Sequence, residues 1–315
     1  MKKKLFISDV LYLTDGGLET DLIFHHKIEL PLFASFMALK SETGQSALKH
    51  YYQSYLKMAK KYENCGMILD TATWRASPDW FNRLGITLEE GTKLIHESYR
   101  LVKEIPNESE NQLLIAGVVG PRGDGYSPGN ETETFSTYQN YHTYLITELK
   151  RAGVDYISAV TMTNVPEALG ITLACKSLEI PCVISFTVET DGLLPSGTVL
   201  AQALQSIDER SQNYPLHYMI NCAHPSHFIH LWNVKEPLKR IRGIRCNASS
   251  KSHKELDEST QLDEGNIEDL ARLVSKFTSP GMPLDHSSYR IVGGCCGTDI
   301  RHIAAMGESL FNNKT

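Results

Sequence analysis

The sequence predicts a (β/α)8 (TIM) barrel that spans residues 1–315 as a single domain. Two observations support this fold class. Apolar β-type runs alternate with amphipathic helical stretches from one end of the chain to the other, and there are eight such runs. A length of 315 residues fits this barrel, whereas a doubly wound open sheet usually has fewer strands.

Each predicted strand is a short run of apolar, mostly β-branched or aliphatic residues. In chain order, the strands are predicted at residues 10–14, 66–71, 113–119, 155–161, 181–188, 217–221, 241–246 and 289–293.

The predicted helices lie between these strands and repeat their apolar residues at helical spacing. In the helix predicted at 88–105, Leu94, Ile95 and Leu101 share one face, and Thr87 with Glu90 has the spacing of a capping box. The other helices are predicted at 45–62, 134–152, 166–178, 198–209, 266–277 and 300–310.

Two predicted loops, 120–133 and 248–265, are longer than the scaffold needs. Both follow strands, so we expect both on the face of the barrel that carries active sites.

Composition excludes several classes of protein. Hydrophobic residues at 41% and charged residues at 22% exclude a disordered chain. The net charge of −6, without a basic block, argues against a nucleic-acid partner. No run reaches the ~18 apolar residues of a membrane span, and Ser8 and Asp9 interrupt the apolar N-terminal run. We therefore expect a cytoplasmic protein with small-molecule partners, and the oligomeric state stays open.

The seven cysteines are too scattered for a disulfide framework, and their number is odd. Cys295 and Cys296 follow the last predicted strand inside the run Gly-Gly-Cys-Cys-Gly. The flanking glycines let the backbone bend so that both thiols can reach one ligand. A metal clip, a buried pair of thiols and a vicinal disulfide all fit this spacing.

Cys222, directly after the sixth predicted strand, supplies a third thiol. In a barrel, strands six and eight open on the same face, so Cys222, Cys295 and Cys296 can converge. Three thiolates suit zinc and leave its fourth tetrahedral position free, as in catalytic zinc sites. Zinc keeps a bound substrate thiol as the nucleophilic thiolate near neutral pH. The cysteines therefore predict a zinc site for chemistry at sulfur.

Over nearly its whole length the chain resembles the homocysteine S-methyltransferase family. The resemblance is carried by the run Asp15-Gly16-Gly17 after strand one, by residues 71–77 and 116–121 after strands two and three, and by the two cysteine motifs. Only the cysteine motifs are highly specific.

This resemblance implies that Cys222, Cys295 and Cys296 bind Zn²⁺ and that homocysteine sulfur takes the fourth position. The thiolate then attacks the methyl group of a small donor to give methionine. No catalytic side chain beyond this activated thiolate is expected. S-methylmethionine is favoured as the donor because a sulfonium leaves readily.

The resemblance also implies that the Asp15 carboxylate lies in the substrate pocket, although an Asp before two glycines is also ordinary turn chemistry. The residues predicted to bind substrate are Asp15, Gly16, Gly17, Thr161, Glu189 and Asn221.

One departure from the family lies at the end of strand four. The family usually has a Glu-Thr pair there, whose carboxylate helps to hold the substrate ammonium, whereas this chain has Val160 before Thr161. A buried ammonium is costly unless it is paired. Either another carboxylate replaces the missing one or the acceptor is a different thiol. Glu189 is the first candidate and Glu19 the second, and Glu189→Gln should raise the KM for homocysteine about tenfold or more.

Two alternative functions stay open. The first is the same zinc barrel with another thiol acceptor or methyl donor, which substrate profiling separates. The second is a zinc- or redox-sensing protein without turnover, which reversible loss of zinc on mild oxidation would favour. His224 and His227 are interpreted as cap or surface residues rather than ligands.

Overall fold

The computed structural model describes residues 5–107, 111–127, 133–233, 238–278, 284 and 289–311. Within them, eight parallel strands form a closed barrel in which each strand pairs with the next along the chain and the eighth pairs with the first. This confirms the predicted fold class. Part of the predicted loop 120–133 lies outside the described residues.

All eight strands were predicted, and all of their observed bounds lie within two residues of the predicted ones. They are β1 (Leu11–Thr14), β2 (Cys65–Asp70), β3 (Leu113–Val119), β4 (Tyr156–Met162), β5 (Cys182–Phe186), β6 (Tyr218–Ala223), β7 (Ile241–Cys246) and β8 (Arg290–Gly294).

The seven predicted helices are also observed, and four short helices join them. The helices are α1 (Leu18–Thr20), α2 (Glu42–Ala59), α3 (Pro78–Leu84), α4 (Leu88–Glu104), α5 (Phe135–Ala152), α6 (Val165–Ser177), α7 (Leu200–Ser211), α8 (Pro225–Phe228), α9 (His253–Asp257), α10 (Ile267–Lys276) and α11 (Ile300–Phe311). A π-helix at Asp21–His25 and 3-10 helices at Pro31–Phe33, Ser35–Lys40, Ile229–Asn233 and Leu238–Arg240 were not predicted.

Side-chain caps explain where several helices begin. Ser41 accepts a hydrogen bond from the Gly44 N–H before α2 (3.0 Å), and Asn164 does the same for the Glu167 N–H before α6 (2.9 Å). These bonds satisfy donors that the first turn of a helix leaves without partners. No helix in the described part of the chain is long and apolar enough to cross a membrane.

Aromatic rings fill the amino-terminal end of the barrel. The Phe6 ring lies 5.3 Å from Tyr12, 5.5 Å from Tyr156, 5.1 Å from His217 and 4.8 Å from Tyr289, measured between centroids. We call these five residues the aromatic plug. Because the plug fills this end, ligands must enter from the carboxyl ends of the strands, where the loops lie.

Candidate metal centre and substrate cavity

A cavity of about 480 Å³ opens at the carboxyl ends of the strands. Its volume falls in the range of small-molecule sites. Residues at or just beyond the ends of most strands line it, including Asp15, Asp70, Val118, Val160, Thr161, Asn221, Cys222, Arg245, Cys295 and Cys296.

Three thiols meet at the floor of this cavity. The Sγ atoms of Cys222, Cys295 and Cys296 all lie within 4.8 Å of one another, and the Cys222–Cys296 distance is 3.5 Å. Cys222 is buried, and the other two are half-buried. The predicted convergence of strands six and eight therefore brings these side chains together.

Two strand irregularities turn side chains into the cavity. The β4–β5 register shifts between Ala159 and Met162, and the β6–β7 register shifts between Asn221 and Ala223. Thr161 and Cys222 take positive φ angles of 62° and 55° at these points. A left-handed backbone is unfavourable for such residues and needs support from its surroundings.

The Asn221 side chain provides that support. Its Oδ1 accepts the Thr161 backbone N–H (2.8 Å), and its Nδ2 donates to Thr161 Oγ1 (2.9 Å). The same Nδ2 lies 3.7 Å from Cys295 Sγ. Asn221 therefore ties the end of β4 to β6 and to one of the three thiols.

Close packing explains the glycines around the thiols. A Cβ on Gly17 would lie 2.6 Å from the Cys295 carbonyl oxygen, and one on Gly293 would lie 1.9 Å from Thr14 Oγ1. A larger residue at either position would displace the segment that carries Cys295 and Cys296.

The Cys222 peptide has its own supporting residues. His253 donates from Nε2 to the Cys222 carbonyl oxygen (2.8 Å), and Asn247 donates to the same oxygen (3.1 Å). Tyr126 stacks on the His253 ring at 4.2 Å, and its hydroxyl lies 3.3 Å from Cys222 Sγ. His253 Nδ1 lies 2.9 Å from Glu189 Oε1. These contacts fix both the sulfur and the carbonyl of Cys222.

Negative charge in the thiol cluster is favoured on Cys295. Hydrogen bonds from Cys222 and Cys296 lower the pKa of Cys295 well below its ordinary value, and Arg245 lowers it further. Hydrogen bonds with Cys222 and Cys295, followed by burial, raise the pKa of Cys296 well above its ordinary value. The cluster thus offers a soft anionic sulfur beside two thiols.

A buried ion triad lies beside the thiols. Arg245 donates from Nη2 to Asp15 Oδ1 (2.7 Å) and from Nη1 to Asp70 Oδ2. Its Nε donates to the carbonyl of Gly294 (3.2 Å), the residue before Cys295. Burial, followed by the charge of Asp70, raises the pKa of Asp15 well above its ordinary value. We call Asp15, Asp70 and Arg245 the Asp-Arg-Asp triad.

Comparison with known proteins identifies the family. The family model for homocysteine S-methyltransferase matches residues 12–310. The chain belongs to the homocysteine S-methyltransferase family. Homocysteine S-methyltransferase 1 of Arabidopsis thaliana is 24% identical and matches over 98% of each chain. Betaine-homocysteine S-methyltransferase of Drosophila melanogaster is 28% identical over 73% of this chain and 74% of its own length. The metallated form of the Escherichia coli homocysteine methyltransferase MmuM has the same fold, with a TM-score of 0.71, 19% identity, and coverage of 95% of this chain and 96% of its own.

Within this family member, most residues predicted to form the site line the cavity. They are Asp15, Gly16, Gly17, Thr161, Asn221, Cys222, Cys295 and Cys296. Glu189 is not among the lining residues, and its carboxylate bonds to His253 instead. Glu19, the second candidate for the missing carboxylate, lines the cavity and accepts a hydrogen bond from Ser35 (2.7 Å). Val160 lines it too.

Sequence reasoning missed several residues of the site, among them Asp70, Arg245, Tyr126 and His253. Asp70 and Arg245 were counted as ordinary strand residues. The signal that could have found them is a charged residue near the carboxyl end of a predicted strand, where barrel sites form. His224 caps α8 by accepting the Ser226 N–H (3.3 Å), as its position beside a proline suggested.

A second cluster outside the cavity joins His25, Glu264 and Asp299, whose ligand atoms lie within 4.8 Å of one another. Arg301 already binds both carboxylates, at 2.7 Å for Glu264 and 2.9 Å for Asp299. This cluster is therefore an ion-pair network that joins the 248–265 loop to the start of α11.

Proposed function

We propose that this chain transfers a methyl group from a small onium donor to the thiol of homocysteine and so forms methionine. The observation that carries the proposal is the meeting of three thiols inside a substrate-sized cavity. Family membership supports a thiol acceptor, since the related proteins are named for homocysteine.

The donor set fits zinc. Three sulfur atoms lie together, partly buried, with open cavity beside them. Soft sulfur ligands favour zinc over magnesium or calcium, and three protein ligands leave room for one more. When bound by Cys222, Cys295 and Cys296, zinc would keep a substrate thiol deprotonated near neutral pH.

The side chains of the cavity suit a cationic donor. Six acidic residues and two arginines are among its lining residues, together with the rings of Phe24, Phe33, Trp74 and Tyr126. Aromatic faces and carboxylates stabilise sulfonium and quaternary ammonium groups. Val118 and Val160 add apolar surface to the same cavity.

S-methylmethionine is the donor that we favour. The thiolate forms a new S–CH3 bond while the donor's methyl–sulfonium bond breaks and returns its electron pair to the donor sulfur. A neutral thioether leaves, so the donor and the acceptor each become methionine. Betaine would lose a tertiary amine in the same way, and a tertiary amine is a poorer leaving group than a thioether.

Methionine formation by the zinc-loaded protein tests this proposal. Wild type and Cys296→Ala are each given homocysteine with S-methylmethionine or with glycine betaine. We expect methionine from wild type with S-methylmethionine, and at least about a hundredfold less from Cys296→Ala. Methionine made equally well by both proteins would contradict the role of the thiols. Methionine made only with betaine would show that betaine, and not S-methylmethionine, is the donor.

The two alternatives predict other results. A barrel that acts on another thiol would make no methionine but would methylate a different acceptor in the same assay. A sensor without turnover would methylate no thiol and would release zinc on mild oxidation, a reaction that the 3.5 Å distance between Cys222 and Cys296 favours. The substrate-sized cavity beside the thiols supports turnover.

A further inference from the structure

The charged groups of the cavity lining are unevenly distributed. Val160, at the irregular end of β4, lines the cavity and carries no charge. The Asp-Arg-Asp triad lines it as well, with two carboxylates on one guanidinium. Arg245 is 7% exposed and Asp70 is 8% exposed, so little water reaches either group.

The triad holds two carboxyl groups against a single guanidinium. With both carboxylates ionised, its net charge is negative. Asp15 Oδ2 and Asp70 Oδ1 are buried and have no hydrogen-bond partner. Buried carboxylate oxygens without partners are costly, and a ligand that supplies N–H donors and positive charge removes that cost. A primary ammonium supplies both.

The triad also lies close enough to the thiols to hold the other end of a small amino acid. Arg245 bonds to the Gly294 carbonyl, one residue before Cys295, and the Cys295 N–H bonds to the carbonyl of Cys246 (2.8 Å). Only two methylene groups separate the sulfur of homocysteine from its α-carbon. A thiol at the cysteine cluster therefore brings its ammonium toward the triad.

We propose that Asp70 is a specificity-determining residue that, with Asp15, binds the α-ammonium of the acceptor and supplies the negative charge that Val160 does not. Arg245 is a positioning residue that holds the two carboxylates in place. The inference rests on the proposed function, because it concerns the acceptor of that reaction. It assigns to the triad the task for which Glu189 was the first candidate and Glu19 the second.

The experiment compares two acceptors that differ only in the amino group: homocysteine and 4-sulfanylbutanoate. For the zinc-loaded protein, kcat/KM is measured by methyl transfer, and the dissociation constant of each thiol is measured by calorimetry without donor. The preference for homocysteine is the ratio of its kcat/KM to that of 4-sulfanylbutanoate. In calorimetry it is the ratio of the dissociation constant of 4-sulfanylbutanoate to that of homocysteine. The proteins are wild type, Asp70→Asn, Glu19→Gln and Glu189→Gln, with Asp208→Asn as the matched control. Asp208 also pairs with an arginine, Arg240 (2.7 Å), outside the cavity.

We expect wild type to prefer homocysteine at least tenfold in both measurements. Asp70→Asn should reduce that preference about tenfold, mainly through KM. Glu19→Gln and Glu189→Gln should reduce it less, and Asp208→Asn should leave it as in wild type. Adding Val160→Glu to Asp70→Asn should restore part of the preference, because it returns a carboxylate to the same cavity.

Other results overturn the proposal. Equal loss on both acceptors would make Asp70 only a partner of Arg245, and a larger loss in Glu189→Gln or Glu19→Gln would move the ammonium site there. If Asp70→Asn does not fold, wild type with Val160→Glu decides. A wild type that does not prefer homocysteine would show that the cavity has no ammonium site. A Val160→Glu variant whose preference for homocysteine rises more than tenfold would show that the wild-type cavity lacks the carboxylate. A wild type that methylates no thiol contradicts the proposed function instead.

Discussion

The two ends of the barrel are built from the same strands but serve different purposes. On β2, Ile68 packs in the core at the amino end, and Asp70, two residues on, lies in the cavity. On β6, Met219 and Asn221 have the same relation. Alternate residues of a strand share one face, so both members of each pair point into the barrel. The comparison teaches that two residues along one strand separate a packing position from a position in the site.

The carboxyl end of the barrel carries local costs at the residues that form the site. Thr161 and Cys222 have positive φ angles, and both aspartates of the Asp-Arg-Asp triad have an oxygen without a partner. Strained residues of this kind each cost on the order of 1–3 kcal/mol and persist only where the surroundings hold them. Apolar and aromatic packing at the amino end offsets such costs.

The largest effect on stability is expected at the aromatic plug. Phe6→Ala removes a ring that contacts four others, so the free energy of unfolding should fall by about 3–4 kcal/mol in urea titrations. Zinc content and the KM for homocysteine should stay within about twofold of wild type. Ile7→Ala is the control, because Ile7 is 47% exposed and should cost less than about 0.5 kcal/mol. A changed KM in Phe6→Ala would contradict the claim that the two ends of the barrel act independently.

A smaller effect, on zinc affinity rather than on the free energy of unfolding, is expected at Asn221. Asn221→Ala removes the bonds that tie β4 to β6 and to Cys295. Zinc affinity, measured by competition with a chelator, should fall about 10- to 100-fold, the usual cost of losing a group that orients metal ligands. Asn213→Ala, on the outer surface beside Arg240, is the control. Wild-type zinc affinity in Asn221→Ala would contradict the supporting role of this amide.

The smallest effect at neutral pH is expected at His217 of the plug, because its contribution appears only as the pH falls. Burial lowers the pKa of His217 from its ordinary value of 6.5 to about 3. Between these values the unfolded chain binds a proton that the folded chain does not, so the free energy of unfolding falls as the pH falls from 6.5 toward 3. The slope contributed is at most about 1.4 kcal/mol per pH unit. His217→Asn should flatten this dependence in urea titrations between pH 7 and pH 4. His50→Asn, at an exposed position, should leave this pH dependence unchanged. An unchanged slope in His217→Asn would show that His217 does not cause the loss of stability in acid.

The fold and the thiol cluster could be predicted because each depends on a strong pattern. Eight apolar runs are enough to specify a barrel, and barrel topology alone places Cys222 near Cys295, although 73 residues separate them in the chain. No local feature of either segment shows this contact, so the prediction depended on the fold class being right.

The triad could not be predicted in the same way. Asp70 and Arg245 are 175 residues apart, and each lies inside a run that is predicted as a strand. The strand pattern alone gives neither residue a role in the site. Their pairing appears only when the closed barrel brings the carboxyl ends of β2 and β7 together. The positive φ angles of Thr161 and Cys222 were equally hidden, because the residues themselves disfavour that backbone.

The measurement that tests the central claim most directly is the zinc content of the purified, reconstituted protein and its cysteine variants. We predict one zinc per chain in wild type and in Cys65→Ala, which removes a buried thiol outside the cluster. Cys222→Ala, Cys295→Ala and Cys296→Ala should each retain less than about a tenth of that amount. Zinc retained in all three variants, or absent from the wild type, would contradict a metal centre built from these thiols.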